Sequence, residues 1–251
     1  MNMLDDVRAA VGFLTLLPVR RQRPGPDAGL AGAQGYLPLV GLLVAGAGIG
    51  VWAVVEPVLG PLVAAVASVF ATVLITGALH EDGLADVADG FWGGSTTNRR
   101  LEIMRDSRIG TFGVLAVTGD MLLRITLLIP LDLAGVARVL VAGHVIGRAA
   151  PLLLGWWLRP ARSDGLGVEV GKPRRGATVL AAATVVGSAV AVAGAWAPIP
   201  LLAGAAAAAA IGWIARRLVG GHTGDVFGAG VLAVNLAVAA SVAALIKAGW
   251  V

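Results

Sequence analysis

The chain has 251 residues, a mean hydropathy of +0.85, and 57% hydrophobic but only 14% charged residues. A soluble domain carries roughly 25% charged residues, so the composition points to a membrane domain with little soluble mass. There is no cysteine, which excludes disulfides, thiolate nucleophiles and cysteine metal sites, and the formal net charge of +4 fits an anionic membrane surface rather than nucleic acid.

Residues 1–18 read MNMLDDVRAAVGFLTLLP. The apolar run at 11–17 is too short to span, follows Asp5, Asp6 and Arg8, and precedes no small-residue cleavage site. An amphipathic helix at the membrane interface is expected, ended by Pro18. With the basic, irregular stretch of Arg20, Arg21, Arg23, Pro24 and Pro26, it makes an N-terminal arm over 1–35. Seven apolar runs follow, at 36–55, 62–79, 111–130, 136–157, 177–196, 201–215 and 226–245. A helix needs about 20 apolar residues to cross a bilayer. The expected fold is therefore all-α: a polytopic integral membrane bundle of six to seven transmembrane helices, forming one catalytic domain over 1–251. The 36 glycines suit close helix approach in lipid.

Three polar intervals, 80–110, 159–176 and 216–225, together with the N-terminal arm, hold fifteen of the nineteen Lys and Arg residues. The positive-inside rule places all of them in the cytoplasm. The first interval holds six of the fifteen acids: Glu81, Asp82, Asp86, Asp89, Glu102 and Asp106. Asp82, Asp86 and Asp89 have the spacing i, i+4, i+7, which sets them on one helix face. Carboxylates so placed repel unless a cation lies between them. Mg²⁺ suits that place, being hard and often shared between carboxylates and substrate phosphates. Arg99, Arg100, Arg105 and Arg108 follow and would meet phosphates. The pattern suggests a phosphoryl-transfer site at the mouths of membrane helices. The competing reading is a solvated loop, since acidic triplets also occur on ordinary surfaces.

Inside the runs, Asp120 with Arg124 and His144 with Arg148 stand at i, i+4. Charges there are costly unless paired or facing a polar interior. Asp120 and Arg124 are expected to form an internal ion pair, His144 to be a hydrogen-bonded packing residue, and Arg148 to reach toward a phosphate. Gly221-His222-Thr223-Gly224-Asp225 enters the last run. Thr223 and Asp225 suit helix capping; Asp225 equally suits a metal shell shared with Asp82, Asp86 and Asp89.

The runs GALHEDGLADVADGFWGG at 77–94, RRLEIMRDSRIGTFGVLA at 99–116 and GGHTGDVFGA at 220–229, with FLTLLPV at 13–19 and YLPLVGLLVAG at 36–46, span most of the chain. In these runs the sequence resembles the adenosylcobinamide-GDP ribazoletransferase, or cobalamin synthase, family. The resemblance implies a multi-pass inner-membrane enzyme of coenzyme B12 assembly, a Mg²⁺-dependent phosphotransferase of the 2.7.8 type. It would join adenosylcobinamide-GDP to α-ribazole, or its 5′-phosphate, and release GMP. The implied nucleophile is the ribose 5′-hydroxyl of α-ribazole. The implied catalytic set is Asp82, Asp86, Asp89, Arg105, Asp106, Arg108 and Asp225. Asp82, Asp86, Asp89 and Asp225 would hold the metal, Arg105 and Arg108 the phosphoryl oxygens, and Asp89 would receive the hydroxyl proton. The implied partners are those two substrates and the lipid bilayer, with no nucleic acid; a homo-oligomer is left open. Relatives often carry Glu where this chain has Asn235, Leu where it has Glu81 and Lys where it has Arg105; Glu81 is the expected replacement if the lost Glu binds metal. The pattern D-G-x-x-D-x-x-D also resembles the CDP-alcohol phosphotransferases, but Asp86 and Val87 stand where their core has Ala-Arg. An ion-coupled transporter is the non-enzyme alternative. Its acids would sit near mid-membrane, whereas here they gather at helix mouths.

Overall fold

The computed structural model describes residues 3–19 and 32–251. The basic run Arg20, Arg21, Arg23 of the N-terminal arm lies outside the described residues. Helix α1 (Met3–Leu14) leads to a 3-10 turn (Ala33–Tyr36) and α2 (Leu37–Thr76). Then come α3 (Leu79–Gly93), α4 (Thr97–Ile103), α5 (Thr111–Leu128), α6 (Leu133–Gly147) and α7 (Ala150–Trp157). The chain ends with α8 (Leu166–Val170), α9 (Arg175–Ala193), α10 (Pro198–Leu218) and α11 (Gly224–Lys247).

Six helical stretches among the described residues are long and apolar enough to cross a membrane. The first of them contains α2, which is not a single rod. Gly60 adopts φ 79° and ψ 172°, outside helical space, between Pro57 and Pro61. The Ser68 hydroxyl donates to the Gly48 carbonyl at 2.9 Å, so the two arms of α2 run back along each other. That is the pair of runs expected at 36–55 and 62–79.

The run expected as one helix over 136–157 is divided. Helix α6 ends at Gly147, α7 begins at Ala150, and Pro151 opens α7. Proline has no N–H to continue the ladder. Arg148 Nη1 donates to the His144 carbonyl at 3.1 Å and so occupies part of the freed backbone. Non-helical backbone at this depth is tolerated where protein covers it or where it lines a cavity.

Helix α11 is the axis of the bundle. It packs against α10, α6 and α3. The main core joins Trp52, Val69, Leu128, Val136 and Val238. A second cluster, at the polar end, joins Val87, Phe91, Met104, Leu154 and Phe227. A third ties α1 to the bundle through Ala10, Leu14, Leu37 and Leu152.

The 80–110 interval is not an open loop. Gly77 and Ala78 both take left-handed conformations and turn the chain out of α2 into α3. For Ala78 that conformation costs about 1–2 kcal/mol. Helix α3 then wedges between α5 and α11. Its contact with α11 is close, because an added Cβ on Gly83 would lie 3.0 Å from the Asp225 carbonyl oxygen.

Candidate active site

The three polar intervals meet at one end of the bundle. Ala161 donates its N–H to the His222 carbonyl at 2.8 Å, and His222 donates back to the Arg159 carbonyl at 2.9 Å. Arg162 Nη2 donates to the Leu101 carbonyl at 2.8 Å, and its Nη1 lies 3.7 Å from Asp225 Oδ2. Thr97 and Arg100 both donate to the Leu218 carbonyl. Each interval is thus fastened to the others.

This fastening sets the acids. Thr223 is the N-cap of α11, its Oγ1 accepting the Val226 N–H at 3.2 Å, and its hydroxyl donates to Asp225 Oδ2 at 3.1 Å. Thr223 therefore does the capping, and Asp225 in the first turn is left to face α3. Asp82 and Asp225 line the same cleft, whose cavity volume is about 100 Å³. Its other walls are mainly apolar, with Phe13, Leu14, Leu37 and Phe227, while Arg148 and His80 line it as well. Asp86 stands beside these acids. Burial first, then the charges of Asp225, Asp82 and Asp89, push its carboxyl up to about 7, against a smaller opposing pull from Arg162.

Asp89 shares the face but has a different occupation. Its Oδ2 accepts the Gly110 N–H at 2.7 Å and its Oδ1 the Gly113 N–H at 2.9 Å. The first N–H groups of a helix have no partner within it, and Asp89 supplies one at the start of α5.

Glu81 is turned away from Asp82 and Asp225. It accepts from Arg124 Nη2 at 3.0 Å, and the same Arg124 nitrogen lies 2.5 Å from Asp120 Oδ2. The expected Asp120–Arg124 pair is present as part of a buried three-residue group. Asn235, the other departure, donates to His144 Nδ1 at 3.1 Å in the bundle interior. His144 is the hydrogen-bonded interior residue expected of it.

Arg105, Asp106 and Arg108 stand at the rim. Arg105 pairs with Asp164 at 2.5 Å. Arg108 pairs with Asp106 at 2.5 Å, and its hydrogen bonds hold the Asp106 carboxyl down at about 2. None of the three lines the cleft.

Among the described residues no three His, Asp or Glu side chains converge closely enough to form a complete metal shell. Asp82, Asp86 and Asp225 offer only oxygen donors, and their mutual repulsion is visible at Asp86. Such a set suits Mg²⁺, which is commonly held by one or two carboxylates and completed by substrate phosphates and water.

The comparisons with known proteins agree with one another. Residues 6–243 match the family described as cobalamin-5-phosphate synthase. The chain belongs to that family. It is 42% identical over 232 residues to the adenosylcobinamide-GDP ribazoletransferase of Bradyrhizobium diazoefficiens, covering 91% of this chain and 89% of that one. It is 40% identical over 250 residues to the enzyme of the same name from Azorhizobium caulinodans, covering 91% of each chain. The namesake from Chlorobaculum parvum is 37% identical over 241 residues, covering 90% of each. No solved structure matches.

In this member of the cobalamin-5-phosphate synthase family, sequence reasoning did not single out Arg162 or His80. Arg162 was one of five basic residues in its interval and had no distinguishing spacing. His80 carried only its place before the acids. In the structure it is buried and lines the cleft.

Proposed function

We infer that this chain transfers the adenosylcobinamide-phosphate moiety of adenosylcobinamide-GDP to α-ribazole or its 5′-phosphate, releasing GMP. The reaction takes place at the cytoplasmic face of the inner membrane. One observation carries the reading: Asp82 from α3 and Asp225 from α11 line one largely apolar cleft, with Asp86 close enough to feel both charges and Arg162 3.7 Å from Asp225.

A hydroxyl oxygen of the acceptor ribose attacks the phosphorus on the cobinamide side of the diphosphate. The bond from that phosphorus to the bridging oxygen breaks, and its electron pair leaves with GMP. The 5′-hydroxyl cannot be the general nucleophile. An acceptor that keeps its 5′-phosphate in the product must attack through another ribose oxygen. Phosphoryl transfer of this kind is mainly positioning and charge neutralisation.

Asp82 and Asp225 would hold Mg²⁺, which, when bound, offsets charge on the phosphoryl oxygens. Arg162, beside Asp225, is the cation nearest the acids and takes the phosphate-binding role expected of Arg105 and Arg108. Asp86 is the better proton acceptor, because both oxygens of Asp89 already accept backbone N–H groups. A carboxyl raised toward 7 is suited to taking a proton at neutral pH. Asp89 positions α5 against α3 instead.

The test is GMP release by the purified protein in vesicles. Equal amounts of GMP and cobalamin product are expected with both substrates present, and none after chelation of Mg²⁺. Undiminished release in excess chelator would remove the metal. No release under any condition would remove the reaction.

A further inference from the structure

Arg148 is 2% exposed and lies at the break between α6 and α7. Its side chain lines the same cleft as Asp82 and Asp225. Its Nη1 is 3.0 Å from His144 Nδ1 and donates to the His144 carbonyl, while its Nε has no partner. Arginine only donates, so His144 Nδ1 is an acceptor and brings no charge of its own. The nearby acids are committed elsewhere, Glu81 and Asp120 both to Arg124. Among the described residues Arg148 therefore makes no ion pair. A charge this deep in a membrane protein is a functional residue by default.

It also makes no ion pair with the acids of that cleft. The guanidinium that acts on Asp86 and stands 3.7 Å from Asp225 is that of Arg162. His80 feels Arg148, after the larger effect of its own burial.

We propose that Arg148 is a second anion-binding residue, which receives a phosphate monoester carried on an apolar ring system. The apolar walls around it, including Leu14, Leu37, Pro151 and Val231, suit the ring. The guanidinium fork suits the phosphate. Given the transfer reaction inferred above, on which this assignment rests, the ligand is the acceptor. The phosphate at Arg148 is then the acceptor's 5′-phosphate, apart from the diphosphate under attack at Asp82, Asp86 and Asp225.

The experiment compares kcat/KM for α-ribazole 5′-phosphate and for α-ribazole, in wild type, R148M and R148K. Each protein is placed in phosphatidylcholine vesicles with and without phosphatidylglycerol. The preference for the phosphorylated acceptor should fall at least about tenfold in R148M and by less in R148K, in both lipids. If R148M does not insert, R148K carries the comparison. Equal losses on the two acceptors, or an unchanged preference, would overturn the assignment. So would a loss confined to phosphatidylglycerol vesicles and equal for both acceptors, since the phosphate would then be a lipid's. Thermal protection by α-ribazole 5′-phosphate, but not by α-ribazole, is expected in wild type and absent in R148M. This reads the site without turnover, so a failure of the reaction remains distinct from a failure of the site. Equal protection of wild type and R148M would also overturn it.

Discussion

Gly113 donates its backbone N–H to Asp89 Oδ1 at 2.9 Å, and a Cβ added to Gly113 would lie 2.5 Å from the other carboxylate oxygen. The pair holds α3 against the start of α5. Losing one of two hydrogen bonds to a buried carboxylate costs about 1–3 kcal/mol. Asp89→Asn and Gly113→Ala should each lower the melting temperature of the detergent-purified protein. A melting temperature unchanged in both would remove Asp89 from its positioning role.

Asp86 should behave in the opposite way. Its carboxyl titrates near 7 in the folded chain, against about 4 when unfolded. The folded state therefore holds the proton more tightly. This contribution to stability is fully present below about pH 4 and is lost as pH rises to about 7. In chelator, Asp86→Asn should flatten that part of the melting curve against pH and raise the melting temperature at pH 8. Turnover should fall about a hundredfold or more if Asp86 receives the proton. A wild-type pH slope in the variant would show that the repulsion lies elsewhere.

Asp225→Asn should act on the metal requirement. The Mg²⁺ concentration needed for half-maximal GMP release should rise steeply, while Asp86→Asn mainly lowers the maximum. The double variant should lose less than the product of the single losses, since the two residues serve one site. Losses that simply multiply would place Asp225 in a separate role.

The buried group around Arg124 predicts a stability effect with a definite order. Asp120→Asn leaves Glu81 to offset the guanidinium, so folded yield should fall modestly and turnover should stay near normal. Adding Glu81→Gln removes the last anion. Uncompensated buried charge of this kind costs about 3–5 kcal/mol, so the double variant should barely accumulate. A double variant that folds as well as Asp120→Asn alone would show that Arg124 does not depend on its carboxylates.

Ser95 and Ser163 are both exposed, and both lie in the polar intervals. Cysteine introduced at either should react with an impermeant reagent only from the cytoplasmic side. Labelling of intact cells from outside would invert the proposed orientation.

Much of the fold was legible because apolar run length is a direct physical requirement of the bilayer. Gly60 between two prolines marked the reversal in α2. The i, i+4, i+7 spacing marked the acidic face of α3. The division of that face was not legible. Helical periodicity says which residues point together, but not which neighbour each one meets. Asp89 meets backbone N–H groups of Gly110 and Gly113, and peptide N–H groups leave no trace in residue identity. Glu81 lies one position from Asp82 yet is turned toward Arg124. Arg162 became distinct only through the pairing of 159–161 with His222, and one irregular segment crossing another carries no periodic signal. The break after α6 did have a sign, Pro151, hidden within an otherwise unbroken apolar run.

The polar groups that hold the side chains of α3 follow it in the chain. Arg124 and the amides of Gly110 and Gly113 leave the ribosome after it, and Gly83 and Asp86 face an α11 that is made later still. During synthesis, α3 must therefore wait as a polar, acidic segment beside the membrane until α5 has inserted, and its carboxylates meet Asp225 only when α11 is in place. A nascent chain stopped before residue 224 would already contain every acid of α3 and yet have no site.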